Sequence, residues 1–299
     1  MAEQSRSDIE YNRRAVNTES LHTGRTPAEI IELFKYPILT VYEVSTKYLK
    51  WAIGLNRCML KIIGLWPPDS NDMRELLSSK LRRLFNITLL IFVLTVPALM
   101  SLIRVWGDMM LVIDNLQYTL PLLITILKVS IMWGKKEALM PLINMITKDW
   151  VKTKIEEERN VMLQQARVSR IFVMCGGLMI LSTLIFGLVL PCFGLTFRHV
   201  TNLTDPGKPL PIQSYYIYDI SKSPQFELTL LVQGIGLTLS GLTYTGVDTF
   251  LGLLILHICG QMENLHTRLA NLGKNTNYKV ALKYNIKDHV RLIRLLKKK

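Results

Sequence analysis

The chain has 299 residues, of which 49% are hydrophobic and 20% charged, and carries a formal net charge of +13. Its four cysteines, Cys58, Cys175, Cys192 and Cys259, are scattered without CxxC spacing, which excludes a disulfide framework and a zinc site. The basic balance would suit nucleic acid, but the charges are concentrated outside four long apolar runs, where the positive-inside rule explains them more simply.

Residues 1–25 are rich in Ser, Arg, Asn and Glu with little to bury, and read as disordered. They lack the apolar core of a cleavable signal peptide, so the first span is expected to act as the insertion signal. Thr26-Pro27-Ala28-Glu29 joins an N-cap, a proline at the first helical position and a glutamate that reaches back to the cap. A short helix to about Lys35 is predicted. From Trp51 to Trp66 the run WAIGLNRCMLKIIGLW is too short and, at Arg57 and Lys61, too charged to span. It is expected to lie in the membrane interface with its tryptophans at the ends, stopped by Pro67-Pro68.

A membrane-crossing helix needs about 20 mostly apolar residues, and four runs meet that test. Leu84 to Ile103 has no charge and tolerates Pro97 as a kink. Met109 to Trp133 carries Asp114 and Lys128 near opposite ends, both expected to snorkel. Ile171 to Phe197 has no charged side chain at all. Leu228 to Ile258 is Gly-rich, holds Asp248 and His257, and at about 1.5 Å per residue is longer than the bilayer is thick, so its far end must leave the membrane as helix. A β-barrel would alternate apolar and polar residues, and these runs do not. The fold class is all-α, a multi-span helical membrane protein with helical extensions.

Basic residues flank the first span at Lys80, Arg82 and Arg83, fill the loop from Lys135 to Arg170, and close the chain at Arg291, Arg294 and Lys297 to Lys299. The links on the other side hold few. Both ends of the chain are therefore expected in the cytosol. Asn202-Leu203-Thr204 is a glycosylation sequon in an outer link, so Asn202 is a candidate glycan site. A second sequon at Asn86 falls at the inner membrane face, out of reach of glycosylation.

In the cytosolic loop, Leu142, Ile143, Ile146 and Trp150 form one helix face expected to pack on a neighbour. Beyond the fourth span Ile258, Met262, Leu265, Leu269 and Leu272 step by four and three, the spacing of a seam between helices. His257 and His266, nine apart, lie on opposite faces and cannot share a ligand. Asp248 at membrane depth reads as a gating or ion-path residue, or as a carboxylate bonded to Thr245, to Thr249 or to a helix outside this chain. Gly234, Gly236, Gly241 and Gly246 permit close helix approach. No Gly-rich phosphate loop, HExxH, GxSxG or carboxylate pair beside a histidine is present, so no enzyme and no cofactor is expected. The two halves share no repeat of the kind an inverted-repeat transporter shows.

Several segments resemble the insect odorant receptor family, and more narrowly the set found in ants, bees and wasps. They are GLNRCMLKIIGLWP before the first span, Lys135-Lys136 with LINMITKDW after the second, EEERNVMLQQARVSR before the third, LPIQSYYIYDISKSPQFELTLLVQ in the outer link, DTFLGLLILHICGQMENLHTRL across the fourth, and DHVRLIR. The resemblance covers about residues 48–296. It implies a plasma-membrane subunit with a cytosolic amino terminus and seven helices, which binds volatile ligands in an outer-half membrane pocket and forms a heteromeric, poorly selective cation channel with a co-receptor. The pocket faces matched on this chain are Tyr118, Thr183, Phe186, Leu190, Leu230, Gln233 and Leu237.

On this reading residues 1–45 are an atypical, partly disordered cytosolic segment. Residues 46–299 are an incomplete receptor transmembrane domain with four of the expected seven spans and 259–299 cytosolic. The pore helices would be missing, the product truncated, and the seam from Ile258 to Leu272 left without intramolecular partners as a subunit or anchor surface. Membrane lipid is an expected partner and nucleic acid is not. The rival readings are a gustatory receptor fragment and a non-channel four-helix scaffold or regulator.

Overall fold

The computed structural model describes residues 38–67, 72–151, 156–190, 193, 202–203, 208–220, 222–272 and 278–297. The expected disordered stretch and the helix after Thr26 lie outside them, as does Cys192. Among the described residues the chain is helical, with one isolated bridge between Asn202 and Ser214. The helices are α1 (Ile38–Ile62), α2 (Met73–Arg104), α3 (Met109–Gly134), α4 (Lys136–Val151), α5 (Glu156–Leu184, continued by a π-helical turn Ile185–Val189), α6 (Gln225–Ala270) and α7 (Tyr278–Lys297). Four of these, α2, α3, α5 and α6, are long and apolar enough to cross a bilayer. At 46 residues α6 is about 69 Å long, twice what the hydrocarbon core requires.

The chain divides into two compact units, one of Leu55–Met140 with Phe172–Phe250, the other of Met1–Gly54, Pro141–Ile171 and Leu251–Lys299. In the first unit α2 and α6 run antiparallel. Asn86 donates to Thr243 Oγ1 at 3.0 Å, and eight residues further along α2 Leu94 packs on Gly236, where a Cβ would stand 3.1 Å from its side chain. Gly241 in the same way receives Ile180 of α5, and a Cβ on Gly176 of α5 would collide with Thr245. Small residues set these helix spacings, as expected where apolar burial gives no preference for helix over lipid. Outward faces of α5 such as Phe172, Leu178 and Met179 stay exposed, which suits a helix solvated by acyl chains.

Trp66 corrects an expectation. It is buried and meets Phe250 edge-on with ring centroids 6.0 Å apart, so of the two tryptophans at the ends of that run Trp51 alone stays exposed. The turn after α1 explains this. Gly64 adopts φ +72, which only glycine takes without strain, and its carbonyl accepts from Ser79 Oγ at 3.3 Å and from Arg83 Nε and Nη2 at 3.0 and 2.8 Å. The turn thereby draws Trp66 inward and gives the buried Arg83 guanidinium a carbonyl acceptor.

In the second unit the polar groups pack inward. His257, Gln261, Asn264 and Arg268 share one face of α6, stepping by four and three, and each reaches a neighbour. His257 Nε2 lies 3.2 Å from Asp149 on α4, Gln261 donates to Met162 Sδ, Asn264 donates to the Glu158 carbonyl on α5, and Arg268 bridges Glu158 at 2.9 Å and Asp288 on α7 at 3.1 Å. The predicted apolar seam is therefore one residue out of phase. Leu265 and Leu272 are buried, Ile258 is half-buried, and Met262 and Leu269 are exposed. The seam is not left wholly without partners within the chain, because burying the polar stripe carries Leu265 and Leu272 in with it.

Asp149 is 1% exposed and also accepts from Arg291 at 2.7 Å. Burial pushes its carboxyl up, but the His257 hydrogen bond and the Arg291 charge outweigh that and hold it below its usual 3.8. A carboxyl lowered in the fold stabilises above its unfolded value and loses that contribution as pH falls through the folded one. Thermal unfolding in detergent is expected to show an acid limb below about pH 4 that Asp149→Asn lacks. That variant should also lose about 2 kcal/mol at neutral pH through the weakened charged hydrogen bonds to His257 and Arg291, Arg291 keeping Asp288 at 3.6 Å.

Candidate functional site

A proline inside a helix gives no N–H to the carbonyl four residues back, and in hydrocarbon that carbonyl must find another donor. Pro97 imposes this on Val93. α2 responds with a π-helical stretch, Leu89–Thr95, in which the Val96 N–H goes to the Ile91 carbonyl and Thr95 Oγ1 donates to the Leu90 carbonyl at 2.7 Å. Groups from outside the helix bond to carbonyls on either side of the break. The Tyr216 hydroxyl donates to the Val93 carbonyl at 3.0 Å, the Tyr215 N–H to the Pro97 carbonyl at 3.0 Å, and Asn115 Nδ2 of α3 to the Ala98 carbonyl at 3.2 Å. Arg104 stacks 3.5 Å over the Tyr215 ring. The break in α2 thus fixes residues 210–218 against the helix.

Tyr216 is itself held from α6. Gln233 Nε2 donates to the Tyr216 hydroxyl oxygen and to Ser214 Oγ, both at 2.8 Å. Burial, with the neighbouring Tyr218 adding to it, pushes the Tyr216 phenol up to about 12 against the lowering effect of its Gln233 and Ser214 contacts. It stays a neutral donor at any physiological pH. Gln233 is 1% exposed, and its Oε1 has no hydrogen-bond partner among the described residues. Beside this polar group lies an apolar cluster of Leu90, Leu94, Ala98, Leu122 and Ile212, with Val93, Tyr118, Ile126 and Leu237 packed against it. An apolar wall with one unsatisfied acceptor can bind and orient a small molecule. Among the described residues no group of three or more His, Cys, Asp or Glu side chains is placed to hold a metal.

Of the residues expected to line a pocket, the structure brings Tyr118, Gln233 and Leu237 to this place. Leu190 and Leu230 are half-buried, whereas Thr183, bonded to its own Met179 carbonyl, and Phe186 lie on the exposed side of α5. Sequence reasoning did not single out Ser214, Tyr216 or Asn115. The available signal was Pro97, whose freed carbonyl demands a donor, near a link rich in tyrosine. Asn202 is a correction. It is 0% exposed and its Nδ2, the atom a glycan would occupy, donates to the Lys208 carbonyl at 2.9 Å, so in this fold it braces the link.

Lys128 and Asp248 do not snorkel apart or bond to threonines. They form an ion pair with each other at 2.7 Å, with the ammonium 3.2 Å over the Tyr244 ring. Each charge at membrane depth relieves the other. Asp248→Asn is expected to lower stability by about 2 kcal/mol, and Lys128→Met in that background to restore part of it, read from Tm in detergent. Additive losses would mean the pair is uncoupled.

Residues 108–298 match the family model described as 7tm Odorant receptor. No curated protein matches. Among solved structures, the chain is similar to the insect olfactory receptor OR5 from Machilis hrabei in complex with eugenol, with a TM-score of 0.69 at 14% identity, over 85% of this chain and 65% of that one. A second structure of that receptor gives a TM-score of 0.68 with the same identity and coverage. The chain thus spans about two thirds of the length of the receptor whose fold it shares.

Proposed function

The chain belongs to the 7tm odorant receptor family, one of receptors and not of enzymes, and from that premise we propose that it is an odorant receptor subunit whose ligand sits between α2, α3, α6 and the link over the Pro97 break. Tyr118, Leu237 and the apolar cluster form the wall. Gln233, oriented by Tyr216 and Ser214, offers its free Oε1 to a donor group on the ligand. Leu190 and Leu230 border the site; Thr183 and Phe186 stand apart from it and are left out. The subunit lies in the plasma membrane with its amino terminus in the cytosol, in keeping with the basic residues around Arg82 and in the loop from Lys135. With a co-receptor it gates a non-selective cation channel. The similar receptor solved in complex with eugenol supports the ligand-binding role.

The observation that carries the reading is a buried amide with an unpartnered oxygen beside an apolar wall. Volatiles bearing a hydroxyl are expected to raise Tm of the purified chain. Gln233→Leu should weaken that response at least tenfold while leaving hydrocarbon volatiles little changed, and Thr183→Ala should leave both unchanged. Equal effects of Gln233→Leu on alcohols and hydrocarbons, or a large effect of Thr183→Ala, would contradict it.

A further inference from the structure

A cavity of about 260 Å³ lies between the turn after α1 and the first turns of α2, lined by Lys61, Trp66, Pro67, Arg74, Glu75, Ser78, Ser79 and Arg82. Three cations face one carboxylate there. Arg82 donates from Nη1 to Ser78 Oγ at 3.0 Å, but its Nε is shielded from solvent and has no partner among the described residues. The adjacent Arg83 is not available, being committed to the Gly64 carbonyl. Trp66 and Ser79 are buried and form a rigid side of the cavity, Ser79 through its own bond to Gly64.

Depth indicates what this charge is for. The uncharged run of α2 begins at Leu84, so at about 1.5 Å per residue Arg82 stands roughly 3 Å outside the hydrocarbon, within the headgroup zone, and Arg74 roughly 15 Å outside it, past the about 5–8 Å of that zone and at the height of a phosphate that projects from the bilayer. The cavity is smaller than the roughly 300–1,000 Å³ of sites for drug-sized ligands, which suits a headgroup whose acyl chains stay in the bilayer. The excess of two positive charges matches a dianion, and Arg forks with serine hydroxyls are suited to phosphate oxygens. We infer that this cavity binds the phosphomonoester headgroup of an anionic membrane lipid. The inference uses the orientation proposed above only to place that lipid in the cytosolic leaflet; the cavity and its charge do not depend on it.

The test is fluorescence anisotropy of a short-chain fluorescent phosphatidylinositol 4-phosphate titrated with the chain in neutral detergent, so that neither orientation nor volatile binding enters. Arg74→Gln with Arg82→Gln is expected to weaken binding about tenfold, Glu75→Gln to tighten it, and Lys135→Gln, a basic residue outside the cavity, to leave it unchanged. Arg74→Gln alone, at an exposed position, keeps the test valid if the double variant fails to fold, with a several-fold loss expected. Equal losses from Lys135→Gln and from the Arg74 variants, or equal binding of a phosphatidylserine probe, would reduce the effect to general charge attraction and overturn the site. Full competition by inorganic phosphate at the concentration of the lipid probe would reassign it to soluble phosphate and overturn the lipid assignment.

Discussion

The donor that Pro97 does not have organises the end of the first unit where α2, α3, α6 and the link meet. One missing N–H in hydrocarbon leaves the Val93 carbonyl without its helical partner, and the π-helical stretch before it shifts the acceptors around it. Donors then arrive from two other parts of the chain, Tyr216 and Tyr215 from the link and Asn115 from α3. Because Tyr216 points at Val93, Gln233 can reach its hydroxyl from α6, and the amide oxygen is left buried without a partner among the described residues. A backbone defect has been converted into a polar fixture with a buried acceptor.

The same rule shapes the rest of the molecule in smaller ways. Polar groups at depth are matched in pairs, Asn86 with Thr243 and Lys128 with Asp248, and the second unit buries a polar stripe in preference to an apolar one. Glycines at helix crossings make these pairings reachable, since a Cβ at Gly236 would stand 3.1 Å from the Leu94 side chain and force it to give way. Packing between helices sets the distance, and hydrogen bonding sets the register.

The architecture was largely legible in the sequence. Length and apolarity located the four candidate spans, because the bilayer demands both and nothing else in the chain meets them. The length of Leu228 to Ile258 announced a helix too long for a membrane. Side-chain pairings were not legible in the same way. Lys128 and Asp248 are 120 residues apart, and each read alone suggests snorkelling or local bonding; only the packing of α3 alongside α6 makes them neighbours. The α6 seam was misphased because apolar spacing at Ile258, Met262 and Leu265 fits a helix face as well as His257, Gln261, Asn264 and Arg268 do, and buried ionic partners on other helices decided between them. Tyr118, Gln233 and Leu237 were reached by helical spacing along a matched face, whereas Tyr216 depended on following one carbonyl to its donor.

The measurement that tests this account most directly is a double-mutant cycle between Tyr216→Phe and Pro97→Ala, read as Tm of the purified chain. Alanine at 97 restores the N–H for Val93, so removing the Tyr216 hydroxyl should then cost at least about 1 kcal/mol less than it does with proline present. The loss of the Gln233 contact is common to both backgrounds and cancels. Strictly additive losses would show that the Val93 carbonyl does not depend on Tyr216, and the organising role assigned to Pro97 would fall with it.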